Sequence, residues 1–280
     1  MIALGTINEL EVVKKVDFGV YLDGGQAGEI LMPSRYVPED CEIGQMVEVF
    51  IYLDGEERPV ATTEQPYAQV GDFAFLEVME VTEFGAFLDW GIMKQLFVPF
   101  REQQVRMEVG KRYVVFIYVD DQTNRLTASS KLDKFVDNLP VDYELGEEVS
   151  LLIVGKTDLG YKAIIDNSHW GLIFNSEVHR RIRIGDKTTG FIKNIRDDEK
   201  IDLSLTKQGY VKVEGIAGEI LDKLRAAGGF LPVHDKSSPE LIAETFGISK
   251  KNFKMAVGSL YKERLISIEA EGIRELRIEN

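Results

Sequence analysis

The residues of this chain whose types and spacing could do chemistry are cations and aromatic rings, a set suited to binding more than to turnover. His179-Arg180-Arg181-Ile182-Arg183, followed by Lys187, Lys193, Arg196 and Lys200, concentrates positive charge in one stretch. Lys250, Lys251 and Lys254, with Lys262 and Arg264, make a second. Cations of this kind track a phosphate backbone, and exposed aromatic faces stack bases at roughly 1–3 kcal/mol each. Cations on a helix also serve simply as a solvated face. Enzyme chemistry has less footing. The sequence holds no G-x-x-x-x-G-K-[ST] phosphate loop and no dinucleotide fingerprint at a strand–helix junction. His169, His179 and His234 lack metal-ligand spacing and read as surface or structural histidines. Asp120-Asp121 and Asp197-Asp198 read as turns, since a two-metal nuclease needs carboxylates converging from separate strands. No catalytic residue, metal or cofactor is expected.

Positioning the binding residues falls to a repeat. Gly5, Gly71 and Gly146 each stand 14 residues before a second glycine (Gly19, Gly85, Gly160), and a third follows 25 residues later (Gly44, Gly110, Gly185). Each copy alternates short β-branched or aromatic runs with Gly, Asp and Asn turns, as in VEVFIYLDGEERPVATT and RYVVFIYVDDQTNRLTASS. Roughly five short strands per copy predict small all-β barrels, with glycines at corners and bulges. This register identifies a fold and, by itself, no ligand.

Phe18-Gly19-Val20-Tyr21-Leu22-Asp23 and Phe84-Gly85-Ala86-Phe87-Leu88-Asp89 resemble the aromatic strand of the S1-type RNA-binding OB fold. Arg125-Leu126-Thr127-Ala128-Ser129 and Lys200-Ile201-Asp202-Leu203-Ser204 resemble its closing strand, and the likeness spans roughly residues 1–209. It implies base stacking on both aromatics of F-G-x-F and on a histidine fifteen residues after the first. The first copy has Phe18 and Tyr21 with Pro33 in the histidine place; the second has Phe84 and Phe87 with Pro99. The third departs further: Leu159 and Lys162 replace the aromatics, Phe174 takes the histidine place and Tyr161 lies beside Lys162. The closing-strand cation is kept as Arg125 and Lys200, and the first copy has Arg58 next to Pro59. Core packing is the competing use of each ring. Strand alternation sends Phe18 and Tyr21 to opposite faces unless the intervening glycine is a bulge.

From about residue 211 the period becomes helical. Ile216, Ile220, Leu221 and Leu224 form one apolar stripe, ended at Gly228-Gly229. Ser238-Pro239 opens a second helix with Leu241, Ile242, Thr245 and Phe246 inward, and Ser249 caps a third with Phe253, Ala256, Val257, Leu260 and Tyr261 inward. Leu265–Ile268 and Glu275–Ile278 read as a hairpin around Gly272. The order resembles a winged helix of the helix-turn-helix class, with Lys250, Lys251 and Lys254 on the recognition helix. Winged helices also dock proteins. The expected fold is therefore mainly β with a small α+β C-terminal domain: S1-like barrels over 1–66, 67–138 and 139–209, then a winged helix over 210–280.

The 280 residues carry 47 acidic and 33 basic side chains, a net charge of −14 that argues against indiscriminate coating of nucleic acid. The charge is unevenly placed. Residues 1–70 hold 4 Lys/Arg against 13 Asp/Glu, whereas residues 211–280 hold 11 of each. A phosphate chain therefore meets least repulsion in the C-terminal half. The lone Cys41 excludes an internal disulfide framework and fits a reducing cytosol, and no apolar run approaches a membrane span. Three S1-like barrels and a winged helix in this order are similar to the conserved virulence factor B family of Gram-positive bacteria. The resemblance implies a cytoplasmic, non-enzymatic RNA-binding protein with a role in gene regulation, including virulence genes. The expected partner is single-stranded RNA, with DNA as a further ligand of the winged helix and a protein partner for the acidic first barrel. Phe84, Phe87, Tyr161 and Phe174 would stack bases, while Arg125, Lys193, Arg196, Lys200, Lys250, Lys251 and Lys254 would meet phosphate. A composite surface of the third barrel and the winged helix is the expected grip. The competing class is a protein-docking adaptor on the translation or transcription machinery.

Overall fold

The structure is a computed structural model that describes residues 2–178, 180–206 and 210–276, without the side chains of 210–214. The first copy folds as β1 (Ile7–Val16), β2 (Gly19–Asp23), β3 (Glu29–Pro33), β4 (Met46–Leu53) and β5 (Pro59–Thr62). The second gives β6 (Phe73–Val81), β7 (Gly85–Asp89), β8 (Leu96–Pro99), β9 (Arg112–Asp120) and β10 (Arg125–Ser129). The third gives β11 (Glu148–Lys156), β12 (Gly160–Ile165), β13 (His169–Phe174), β14 (Lys187–Ile195) and β15 (Ile201–Ser204). Each closes into a five-stranded barrel, its third and fifth strands parallel and the other pairs antiparallel. That is the connectivity of a closed OB-type barrel, which leaves no unpaired edge.

Close approach explains the middle glycine of each copy. Gly19, Gly85 and Gly160 face Pro33, Pro99 and Phe174 across the second and third strands. A Cβ there would stand 2.2, 2.4 and 2.0 Å from the carbonyl oxygens of Met32, Val98 and Ile173. The expected bulge is present but displaced. It lies in the first strand of each barrel, between Val12 and Lys14, Val78 and Glu80, and Ile153 and Gly155, and not at the glycine. Phe18 precedes β2 in the turn, so it escapes strand alternation and meets Tyr21 edge-on at 6.4 Å.

The barrels are fused. Phe50, Tyr52 and Val60 of the first share one buried cluster with Trp90, Leu88 and Val115 of the second. Phe73, Val114, Leu132 and Val136 of the second pack with Leu152 and Ile164 of the third. His169 is structural: it is buried, 3.1 Å from the Tyr143 hydroxyl and 2.9 Å from the Leu139 carbonyl.

The C-terminal unit comprises α1 (Tyr210–Ala226), β16 (Phe230–Leu231), α2 (Pro239–Phe246), α3 (Lys250–Lys262), β17 (Ile266–Ile268) and β18 (Ile273–Glu275), with the small sheet ordered β16-β18-β17. Its core joins Ile220 and Leu224 of α1 to Ile242, Phe253, Val257 and Leu260. Ser238 and Ser249 cap α2 and α3, their hydroxyls accepting from the Leu241 and Asn252 amides. Two residues expected inward face water: Leu241 and Tyr261 are 40 % and 57 % exposed, because Ile242 and Leu260 beside them fill the core. The second hairpin strand starts directly after Gly272, ahead of the expected Glu275, while Arg277 and Ile278 lie outside the described residues.

Candidate nucleic-acid interface

On β7, Ala86 and Leu88 are buried inside the barrel and Phe87 projects outward between them; on β8, Leu96 and Val98 are buried and Phe97 projects outward. The Phe87 and Phe97 rings lie 5.1 Å apart. Phe84, in the turn before β7, is 69 % exposed. Burying such a ring is worth roughly 1.5–3 kcal/mol, so a ring left in water beside two others marks a surface kept for contact. These rings line a cleft of about 470 Å³ whose opposite wall is the β4–β5 turn of the first barrel. That volume falls in the range of about 300–1,000 Å³ typical of ligand sites. Arg125, at the head of β10, stands at the rim and donates from Nε to Glu57 Oε1 at 2.8 Å.

The other two barrels carry weaker versions. In the first, Phe18 is exposed and Lys14 lies 5.5 Å over the Tyr21 ring. Arg58 is held between Asp54 at 2.7 Å and Glu56 at 2.9 Å. In the third, Leu159 is exposed in the aromatic place. Lys162 is drawn to the junction with the second barrel, 3.5 Å over the Trp170 ring and 3.3 Å from Asp133. Phe174 is half-buried under Arg196, whose guanidinium lies 5.7 Å from the ring and pairs with Asp202 at 2.7 Å. The Asp202 bond holds the Arg196 pKa above its ordinary value. Tyr161 packs against the barrel core with Lys156 at 5.8 Å. Lys193 meets Glu177 at 2.5 Å. Lys200 sits in the β14–β15 turn on Asp198 at 2.6 Å and holds that carboxyl below its ordinary range.

Arg58, Arg125, Lys162, Lys193, Arg196 and Lys200 thus each rest on a carboxylate, while Lys14 and Lys156 lie over rings. The third helix of the C-terminal unit differs. Its buried side is Phe253, Ala256, Val257 and Leu260, which leaves Lys251 and Lys254 exposed on the opposite side with Met255 and Tyr261. Among the described residues neither lysine has an ion-pair partner, and Lys250 donates to the Lys236 carbonyl at 3.4 Å. His179 lies outside the described residues. Phe84, Phe87 and Arg125 therefore come together in one cleft and Phe174 with Arg196 in another place, where the Arg196 amide donates to the Lys200 carbonyl at 2.9 Å across the β14–β15 turn. Phe97, Lys94 and Glu57 belong to the cleft and were not anticipated. Leu-Phe-Val on β8 carries the signal for Phe97, an aromatic alternating with buried aliphatics. Among the described residues no three His, Cys, Asp or Glu side chains gather as metal ligands, and no helix is long and apolar enough to cross a membrane.

Two family models agree with this architecture. The S1 domain model matches residues 4–64 and 70–131, and the CvfB-like winged helix domain model matches residues 218–274. The uncharacterized protein YitL of Bacillus subtilis is 30 % identical over 263 residues, covering 90 % of this chain and 87 % of YitL. Conserved virulence factor B of Staphylococcus aureus is 27 % identical over 284 residues, covering 95 % and 92 %. A crystal structure from Streptococcus pneumoniae, described as a multidomain protein with nucleic acid binding domains, is 22 % identical, with 98 % of both chains covered and a TM-score of 0.41.

Proposed function

We propose, for a chain that belongs to the conserved virulence factor B family, that it binds single-stranded RNA without chemical turnover and regulates gene expression through that binding. The observation that carries the reading is the exposed Phe84 ring beside Phe87 and Phe97 in an open cleft. Bases stack on these rings and, more weakly, on Phe174 and Tyr161; stacking accepts any base because each has a π face. Arg125, Lys193, Arg196 and Lys200 are already matched by carboxylates, so they orient the strand more than they attract it. Attraction falls to Lys251 and Lys254, with Lys250 beside them, and the third barrel and the winged helix act on one strand. Duplex DNA is a second ligand for the same helix, and the cytoplasm is the place of action.

Fluorescence anisotropy of labelled oligouridine with the full chain tests the reading. Phe84→Ala should weaken binding about thirtyfold, the middle of the range of roughly 1–3 kcal/mol for one stacked base. Unchanged affinity would remove the cleft from the RNA path. Absence of binding by the unsubstituted chain would favour a protein-docking adaptor, a reading supported by the excess of carboxylates in the first barrel.

A further inference from the structure

The cleft between the first two barrels has a wall from each, and the chemistry at its rim fits one kind of base. Glu57 sits in the β4–β5 turn with a φ of 66°, a left-handed conformation uncommon in a glutamate. Asn124 and Glu199 hold the same conformation just before Arg125 and Lys200, so the bend belongs to the turn in every barrel. Only in the first barrel does this residue reach a neighbouring barrel's cation: Glu57 meets Arg125, 68 residues further along the chain.

The rim is electrically balanced, Asp54 and Glu57 against Lys94 and Arg125. A balanced rim around aromatic walls suits a neutral ring better than a phosphate. Asp54 is already occupied, accepting from the Glu56 amide at 2.8 Å, the Arg58 amide at 3.0 Å and the Arg58 side chain. The Glu57–Arg125 pair is open to exchange, since both side chains are more than half exposed. Guanine alone among the RNA bases offers two adjacent donors, N1–H and N2–H, to one carboxylate and two adjacent acceptors, O6 and N7, on a second edge to one guanidinium. Adenine, cytosine and uracil each lack that donor pair.

Resting on the RNA-binding reading above, we infer that this cleft is a guanine-selective subsite. The base lies among Phe84, Phe87 and Phe97, Glu57 accepts from its Watson–Crick edge, and Arg125 donates to its O6–N7 edge. In the structure the same two side chains satisfy each other as an ion pair. The acidic first barrel thereby supplies selectivity to an aromatic face that on its own would stack any base.

The test compares a labelled oligouridine with the same oligomer carrying one central guanosine, both titrated with the full chain and with Glu57→Gln. The unsubstituted chain should prefer the guanosine oligomer about tenfold, the discrimination expected of one good bidentate contact. Glu57→Gln, isosteric and at an exposed site, should lower that ratio to about threefold, since the Arg125 contact to O6 and N7 remains. Equal affinity of the unsubstituted chain for both oligomers overturns the guanine subsite and leaves general RNA binding standing. So does a ratio that survives the substitution undiminished, or an equal rise in affinity for both oligomers, which would make Glu57 a competitor of phosphate. Binding to neither oligomer removes the RNA reading and the subsite together.

Discussion

The ring of Phe50, on the first barrel, meets Trp90 of the second edge-on at 5.3 Å, and both are fully enclosed. The contact makes two barrels share one core, so neither can open without exposing the other's interior. Phe50→Ala should cost about 3–5 kcal/mol, the usual range for a buried phenylalanine truncated to alanine. Because the site lies between barrels, the loss should appear in both at once. In a Trp170→Phe background, Trp90 is the sole tryptophan. Urea unfolding followed by its fluorescence should shift to lower midpoint as a single transition. Two separate transitions would show that the barrels unfold independently.

The fusion is legible in the strands as runs of apolar residues that break alternation. In β4, Val49-Phe50-Ile51-Tyr52 are all buried, so both faces of the strand are covered. Val-Val-Phe-Ile in β9 repeats the signal where the third barrel docks. The matching strand β14 reads Lys-Thr-Thr-Gly-Phe-Ile-Lys-Asn-Ile and alternates, as befits a face that no further barrel covers. The glycine register and helix caps were local and readable. The ion pairs were not: Glu57 with Arg125 and Glu102 with Lys134 join residues 68 and 32 apart, and depend on how turns meet after folding.

Glu102, buried just after β8, accepts from Lys134 Nζ on both carboxylate oxygens, at 2.8 and 3.0 Å. Burial alone would raise its pKa, but hydrogen bonds from Lys134 and Ser129 and the charges of Lys134 and Lys131 together outweigh this and hold the carboxyl below its ordinary range. The folded-state value thus lies under the unfolded one. The pair contributes stability that is complete above the ordinary carboxylate range and is lost as pH falls through the lowered value. Glu102→Gln should destabilise the chain by about 1–2 kcal/mol at neutral pH, a modest figure because Lys134 stays half in water. The deficit should shrink as the pH is taken below about 4. Urea midpoints measured at neutral and acid pH check this, and a deficit independent of pH would assign the loss to packing.

The same substitution should act with opposite sign at two glycines. At Gly85 a Cβ would press within 2.4 Å of the Val98 carbonyl oxygen, on backbone paired across β7 and β8. Gly85→Ala should cost about 1–3 kcal/mol and disturb the cleft below Phe84. Gly258, in the middle of α3, has open space around its Cβ position. Gly258→Ala should add roughly 0.8–1 kcal/mol through helix propensity. Thermal unfolding by circular dichroism separates the two, since the helical signal reports the C-terminal unit.

Salt dependence tests where phosphate is held. A cation that replaces condensed counterions on a single strand contributes about 0.7 to the slope of log affinity against log salt. Lys251 and Lys254 are exposed and free of carboxylates among the described residues, so both should count. Lys251→Ala with Lys254→Ala should lower the slope for oligouridine by about 1.4. Lys200 already lies on Asp198 at 2.6 Å, and phosphate can take it only by leaving that carboxylate bare. Lys200→Ala should therefore change the slope by well under 0.7, approximately the value for one fully released counterion. Anisotropy titrations across a salt series distinguish the two variants. Equal slopes for them would move the phosphate path from the third helix of the winged helix to the third barrel.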